Sequence, residues 1–131
     1  PVPGGTTGDV YREAFRRVVL PVTRQFAPDW LLVSSGYDAH RDDPLADVML
    51  IESDYAYMAN SLVELVPAGR TIAFLEGGYD VNAIRDSVTA TFSGLAGAID
   101  VGAPPHGDSE PAAWRALELA ERAAAEFWEV R

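Results

Sequence analysis

The sequence predicts an α/β fold in which a parallel β-sheet is flanked by helices. Two short apolar runs of strand length, 30–35 and 71–75, alternate with longer segments of helical periodicity. Such runs are typical of parallel strands covered on both faces, and the alternation is typical of a right-handed crossover unit. Because two strands are too few for a stable open sheet, we expect further strands from outside this sequence, or self-association into a homo-oligomer.

The first helix is expected to follow a loop over residues 1–8 that has no Met and no signal-peptide pattern, and that is typical of an interior segment of a longer protein. Asp9 is its candidate N-cap. Pro21 lies within the helical pattern, and because proline lacks a backbone N–H, we expect it to kink or divide the helix. The apolar face of this helix comprises Tyr11, Phe15, Val18, Val22 and Phe26.

The other elements are predicted from periodicity and turn residues. After the strand at 30–35, a long acidic stretch to Asp54 shows little periodicity, and loops of this length are usually functional or locally disordered. Asp80 is the candidate cap of the helix after the second strand. The remaining predicted elements are a helix over 53–66, a strand over 71–75, a helix over 80–98, a linker over 99–110 and a helix over 111–130.

The last predicted helix carries an apolar stripe and begins with Pro111, which suits a first helical turn. Its stripe comprises Leu117, Ala120, Ala124 and Phe127. We therefore divide the chain into a main unit over 1–98, the linker over 99–110 and a C-terminal helix over 111–131 that packs on the main unit.

The composition indicates one globular domain with an acidic surface. The chain has 131 residues, of which 48% are hydrophobic, and a formal net charge of −10. An acidic surface repels phosphate groups, so we expect neither nucleic acid nor a membrane surface as a partner. The absence of cysteine excludes disulfides and thiolate metal sites, and it fits a reducing, cytoplasmic location.

Residues that could carry chemistry follow the two predicted strands. The carboxyl ends of parallel strands meet at one edge of a sheet, where ligands bind in open α/β folds. Asp38, after the first strand, can bind a cation or cap backbone amides, and its position alone favours capping. Tyr79, after Gly77 and Gly78, can donate a hydrogen bond to a developing oxyanion or simply pack in a turn.

The two histidines and the other loop aspartates give weaker indications of chemistry. His40 can be a ligand, a base or a surface loop residue, and we favour the last, whereas nothing indicates chemistry at His106 in the predicted linker. Asp42, Asp43 and Asp47 suggest a calcium loop, but the segment lacks the central Gly and terminal Glu of an EF-hand.

The two strand-end loops together resemble those of the histone deacetylase family, which includes acetylpolyamine amidohydrolases and acetoin-utilisation proteins. The resemblance covers about residues 1–98 and implies a fragment of the three-layer α/β/α arginase/deacetylase fold. It is carried, in chain order, by Val2-Pro3, Gly8-Asp9, the segment LVSSGYDAH at 32–40, Asp43-Pro44-Leu45 and the segment LEGGY at 75–79.

The resemblance implies a role for each matched residue. Asp38 matches the last of three zinc ligands, and Tyr79 matches the tyrosine whose hydroxyl polarises the acetamide carbonyl. The implied reaction is zinc-assisted hydrolysis of an N-acetyl amide of acetyl-lysine or a small acetylated amine. The residues that match the substrate pocket and the mouth of its channel are Gly77, Gly78, Pro44 and Leu45. A Glu can replace Leu45 in polyamine-specific members, so Leu45 argues mildly against that specialisation.

The chain lacks several features that the resemblance implies for a complete domain. The Asp-x-His ligand pair, the tandem general-base histidines and several strands belong to the N-terminal part of such a domain, which makes that part an expected partner. Since a catalytic zinc takes three protein ligands, we expect the chain alone to bind zinc weakly and to have no deacetylase activity. Two alternatives are a non-catalytic interaction or oligomerisation domain on the same scaffold, and another hydrolase with a mixed carboxylate metal site.

Overall fold

The computed structural model of the chain describes residues 1–99, 105 and 107–130, and these form helices around a parallel two-stranded sheet. The elements are α1 (Gly8–Ala14), a π-helical segment (Phe15–Val19), α2 (Leu20–Phe26), β1 (Leu31–Ser35), α3 (Glu52–Leu62), β2 (Thr71–Leu75), α4 (Val81–Leu95) and α5 (Pro111–Ala124). Helices α3, α4 and α5 end earlier than predicted, and turn residues follow each of them. Half of the predicted linker, residues 100–104 and His106, lies outside the described residues.

The first helical segment is divided near Pro21, as predicted. The N–H of Leu20 donates to the carbonyl of Phe15, five residues earlier, which is the hydrogen bond of a π turn. Pro21 then falls in the first turn of α2, where its missing N–H costs least. The prediction that Asp9 caps α1 is wrong: Thr7 is the N-cap residue and Asp9 lies inside the first turn.

A buried ion pair joins α1 to α3. Arg12 Nη2 lies 2.9 Å from Asp54 Oδ1, and both side chains are almost fully buried. Asp54 Oδ2 also accepts the N–H of Ile51 at 3.1 Å, next to the start of α3. A Cβ on Gly8 would overlap the Asp54 carboxylate, so the glycine permits the two helices to approach this closely.

Helix α5 packs against α1 and the π segment. Leu117 and Ala113 are buried against Val10, and Arg17 forms an ion pair with Glu121. The predicted apolar stripe is therefore right at Leu117. It is wrong at Phe127, which is exposed because it lies beyond the end of α5, and at Ala120, whose position faces solvent.

The sheet is partly covered on one face and uncovered on the other, contrary to the prediction of cover on both faces. The strands pair in parallel from Leu31 with Thr71 to Ser35 with Leu75. Residues of β1 and β2, with others from α3 and α4, line an apolar cavity of about 150 Å³. On the opposite face Leu32 is 65% exposed and Phe74 is 50% exposed, because no described element packs there. Two aromatic residues that were predicted within apolar faces or runs, Phe26 and Trp30, are exposed as well, and so is Phe92 on α4.

None of the helices in the described part of the chain is long and apolar enough to cross a membrane.

The Asp9 carboxylate anchors the segment before α5 to the start of α1. It accepts hydrogen bonds from the Ser109 N–H, at 2.9 Å, and from the Thr7 hydroxyl, at 2.7 Å. Burial opposes ionisation of Asp9, but the hydrogen bonds from Ser109, Thr7 and the Val10 N–H outweigh burial and lower its pKa. A lowered carboxylate pKa stabilises the fold above the ordinary value of 3.8, and this contribution is lost as pH falls through the lowered pKa.

We predict that Asp9→Asn lowers the free energy of unfolding by about 1–2 kcal/mol at neutral pH, because the charge that strengthens these hydrogen bonds is lost. As pH falls below 3.8 and through the lowered pKa, the parent carboxylate is itself protonated, so the difference between the two proteins should shrink. Urea titrations at neutral pH and at a series of acidic pH values measure this, with the exposed Asp29→Asn as the control. A difference that stays constant as pH falls would contradict the prediction.

Candidate functional site

The loops after β1 and β2 lie side by side at one edge of the sheet. Backbone hydrogen bonds continue the strand pairing into the loops: the Glu76 N–H donates to Ser35 at 3.1 Å, and the Tyr37 N–H donates to Gly77 at 2.7 Å. This edge is where the parallel strands present their carboxyl ends, as the sequence predicts for a ligand site. The structure therefore brings the segment around Asp38 against the segment around Gly77.

The Asp38 carboxylate occupies the space that a side chain on Gly77 would need. A Cβ on Gly77 would lie 2.8 Å from Asp38 Cγ and closer still to Oδ2. A glycine is needed at 77 because a side chain would overlap Asp38. A glycine is favoured at 78 because its backbone φ of 138° is one that residues with a side chain rarely adopt. The two adjacent glycines thus serve different purposes: Gly77 accommodates the Asp38 carboxylate, and Gly78 allows the turn of the loop.

Asp38 is a half-buried carboxylate to which no described residue donates a hydrogen bond. The structure therefore does not place it as a cap of backbone amides, which was the alternative left open by its position. Its negative charge acts on neighbouring phenols: burial first, and the charge of Asp38 second, raise the pKa of Tyr11 and of Tyr55. A carboxylate with free oxygens at a strand end is suited to binding a cation.

Tyr79 presents an exposed side chain from a fixed backbone. Its side chain is 58% exposed, and its N–H donates to Asp43 Oδ2 at 2.7 Å. The next residue, Asp80, is the N-cap of α4 as predicted, because its carboxylate accepts the N–H of Ala83 at 2.7 Å. Tyr79 is thus held on both sides while its phenol faces outward.

Asp43 is a functional candidate that the sequence interpretation missed. It is only 7% exposed, and its Oδ1 accepts the Leu45 N–H at 2.9 Å while its Oδ2 accepts Tyr79. The first contact is an Asx-type turn, which the order Asp-Pro-Leu could have indicated. The second joins positions 36 residues apart, and no local signal predicts it. Through Asp43 the structure brings Leu45 close to the backbone of Tyr79, with Pro44 exposed in the turn between.

His40 is buried, so its interpretation as a surface loop residue is wrong. It is only 1% exposed, because the loop folds back on itself: the Leu50 N–H donates to Ala39 and the Arg41 N–H donates to Leu50. His40 Nδ1 accepts the Asp42 N–H at 3.2 Å, and Nε2 lies 3.5 Å from a Glu52 carboxylate oxygen.

The donor set in the described residues fits one ligand of a catalytic metal site and not a complete site. Within residues 1–99, 105 and 107–130, no three His, Cys, Asp or Glu side chains lie close enough together to hold a metal ion. Asp38 lies beside Gly36 and Gly77, and no described residue donates a hydrogen bond to its carboxylate. Since a catalytic zinc takes three protein ligands, the described residues do not supply a complete set.

The fold and these loops define an α/β enzyme domain of the arginase/deacetylase type, seen here in part. The chain belongs to the histone deacetylase family: residues 1–95 match the family model described as "Histone deacetylase domain". The family is one of hydrolases that act as deacetylases and are generally zinc-dependent. The resemblance expected from the sequence motifs and the expected fold are both confirmed.

Individual relatives agree with this assignment. The chain is 47% identical over 95 residues to the uncharacterized protein slr0245 of Synechocystis, covering 72% of the chain and 31% of that protein. It is 39% identical over 100 residues to the chloroplastic histone deacetylase 14 of Arabidopsis thaliana, covering 74% of the chain and 24% of that protein.

A solved structure agrees as well. The crystal structure of the HDA15 HD domain superimposes with a TM-score of 0.82 at 33% identity, over 96% of this chain and 34% of that one. The chain therefore spans between about a quarter and about a third of the length of these relatives.

We predict that Gly77→Ala destabilises the fold by about 1–3 kcal/mol, because the new Cβ must displace the Asp38 carboxylate or the loop backbone. Gly36→Ala is the matched control, since its Cβ would lie 3.3 Å from Asp38 Oδ1 and needs only a small adjustment. Thermal and urea unfolding of both variants measure the difference. Equal stability losses at the two glycines would show that the contact with Asp38 is not the constraint.

Proposed function

We propose that this chain is the C-terminal part of a zinc-dependent deacetylase domain, inactive alone, which in the full-length protein hydrolyses the amide of acetyl-lysine or of a small acetylated amine. The observation that carries the proposal is the arrangement at the sheet edge. The Asp38 carboxylate, to which no described residue donates a hydrogen bond, lies against Gly77, two residues before the exposed Tyr79. Family membership supports a deacetylase reaction at this edge.

In the proposed mechanism Asp38 provides one carboxylate ligand to the zinc ion. The other ligands and the histidines that move protons come from a part of the protein outside this chain. When bound, zinc polarises the acetamide carbonyl and lowers the pKa of a bound water. Asp38 is suited to its part because none of the described residues competes for its oxygens.

Tyr79 acts on the other side of the scissile carbonyl in this proposal. Its hydroxyl donates a hydrogen bond to the carbonyl oxygen, and this bond strengthens as the oxygen gains negative charge in the transition state. Gly77 and Gly78 shape the pocket beside it: Gly77 makes room for the Asp38 carboxylate, and Gly78 sets the conformation of the loop. Pro44 and Leu45, both exposed, line the entrance through which the acylated amine reaches the site.

The exposed face of the sheet supports a structural partner. Leu32, Ile72 and Phe74 leave an apolar surface on a sheet of two strands, and such a sheet is not stable by itself. Since the relatives are about three to four times longer than the matched region, we propose that the N-terminal part of the same domain adds strands and covers this face. A cytoplasmic location, the lack of a nucleic-acid or membrane partner and homo-oligomerisation stay predictions.

We predict that Tyr79→Phe in the full-length protein lowers kcat by at least about tenfold on an acetyl-lysine peptide, because one transition-state hydrogen bond is lost. Asp38→Asn should lower both activity and zinc content, since the amide is a weaker ligand than the carboxylate. Turnover and metal analysis measure these effects, with Tyr57→Phe and Asp29→Asn as matched controls.

The isolated 131-residue chain should show neither turnover nor tight zinc binding. Wild-type activity in Tyr79→Phe would refute the role of the phenol. Undiminished zinc in Asp38→Asn would refute the ligand, and a full-length protein that is stable, oligomeric and free of zinc would favour a non-catalytic interaction domain.

We predict that Leu45→Glu shifts the substrate preference of the full-length protein toward acetylated polyamines. A carboxylate at the entrance attracts a cationic amine, and at about 4 Å in a partly solvated site this is worth of order 1 kcal/mol or more. The ratio of kcat/KM for an acetylated polyamine to that for an acetyl-lysine peptide should therefore rise by about fivefold or more. Leu45→Gln controls for size and polarity without charge, and an equal change in both variants would contradict the electrostatic explanation.

A further inference from the structure

We propose that Asp43 is a positioning residue that fixes the backbone of Tyr79 for the transition state; this inference rests on the deacetylase function proposed above. Asp43 lies in the loop after β1, and Tyr79 lies in the loop after β2. The Asp43 carboxylate spans the two loops, with Oδ1 on the Leu45 N–H at 2.9 Å and Oδ2 on the Tyr79 N–H at 2.7 Å. It therefore links the residue at the proposed channel entrance to the residue proposed to stabilise the oxyanion.

The chemistry of this link requires an ionised carboxylate. An ionised carboxylate is acceptor-only, and here each oxygen meets a separate backbone donor. Burial opposes ionisation of Asp43, but the N–H groups of Leu45, Tyr79, Asp80 and Ala46 outweigh it and lower its pKa. An asparagine has the same shape but presents an NH₂ group to one of the two N–H donors, so only one of the two hydrogen bonds can survive.

A role limited to closing a local turn does not account for the second contact. The Leu45 contact alone closes the turn within its own loop, and it uses one oxygen. The other oxygen reaches the next loop, directly at Tyr79. No described residue hydrogen-bonds the Tyr79 hydroxyl, so the position of the phenol depends on its backbone, which Asp43 holds on one side and the Asp80 cap holds on the other. Misplacement by about 1 Å can cost about a hundredfold in rate.

The test is a double-mutant cycle in the full-length, zinc-loaded protein, using Asp43→Asn, Tyr79→Phe and the double variant. We expect Asp43→Asn to lower kcat by about tenfold or more while KM changes by less than about threefold, since the transition state is affected more than substrate binding. If Asp43 acts through the phenol, the double variant should be no slower than Tyr79→Phe alone. Asp42→Asn, an exposed neighbour in the same loop, is the matched control and should retain wild-type kinetics.

A second measurement does not depend on activity, and its wild-type arm does not depend on the folding of a variant. Hydrogen exchange at the Tyr79 amide of the wild-type protein should be slow, because this N–H is bonded to a buried carboxylate. In a folded Asp43→Asn variant the same amide should exchange faster, because its hydrogen bond is lost or weakened. The Ala83 amide, which donates to Asp80, should exchange at the wild-type rate. A Tyr79 amide that exchanges in the wild type as fast as a free amide overturns the proposal.

The two proposals fail in different ways. If Tyr79→Phe is inactive while Asp43→Asn retains wild-type kcat, or if the two losses are additive, the positioning role is wrong and the deacetylase function stands. If Tyr79→Phe retains full activity, the role of Tyr79 in the proposed function is wrong, and the positioning role is overturned with it.

Discussion

The close approach of the Gly77 backbone to the Asp38 carboxylate is the contact on which the candidate site depends. It exists because two parallel strands end at the same level and their hydrogen bonding continues one step into the loops. A side chain at Gly77 would take the space of the carboxylate. Without this approach the loops of Asp38 and Tyr79 would share a sheet edge, but the Asp38 carboxylate could not lie against Gly77, two residues before Tyr79.

Two further contacts turn this edge into an ordered site. The buried pair of Arg12 and Asp54 fixes the start of α3, into which the long loop after β1 leads. Asp43 then ties that loop to the backbone of Tyr79. Loops that carry function are commonly held on a rigid scaffold in this way. The described residues do not contain a complete metal-ligand set, and one face of the sheet is apolar and exposed; both observations fit the proposal that the rest of the domain completes this site.

The strands, the break in the first helix and the cap of α4 could be predicted from the sequence, because each depends on residues that are close together in the chain. The two apolar runs gave the strands, the proline gave the break in the first helix, and Asp80 was recognised as a cap because it precedes an apolar-periodic segment. Family motifs, rather than spacing, singled out Asp38 and Tyr79 as a pair. Spacing alone favoured a backbone cap for Asp38, and the structure instead leaves its oxygens without hydrogen-bond donors among the described residues.

The errors came from contacts between distant parts of the chain. His40 is buried because its loop pairs with Leu50, and a single histidine in an acidic loop carries no signal of that pairing. The reach of Asp43 to Tyr79 is equally invisible in sequence. The sheet is predicted to be covered on both faces because its residues are apolar. Apolar residues indicate that a face is buried in the folded protein, but they do not indicate which segment covers it.

The central claim is that Asp38 holds a metal ion beside the Tyr79 phenol. Anomalous X-ray diffraction at the zinc edge from crystals of the full-length protein tests it most directly. We predict one zinc ion about 2.0–2.2 Å from an Asp38 carboxylate oxygen, with the Tyr79 hydroxyl facing the open coordination position. A zinc ion bound elsewhere with Asp38 outside its coordination shell, or a Tyr79 side chain directed away from the metal, would contradict the account.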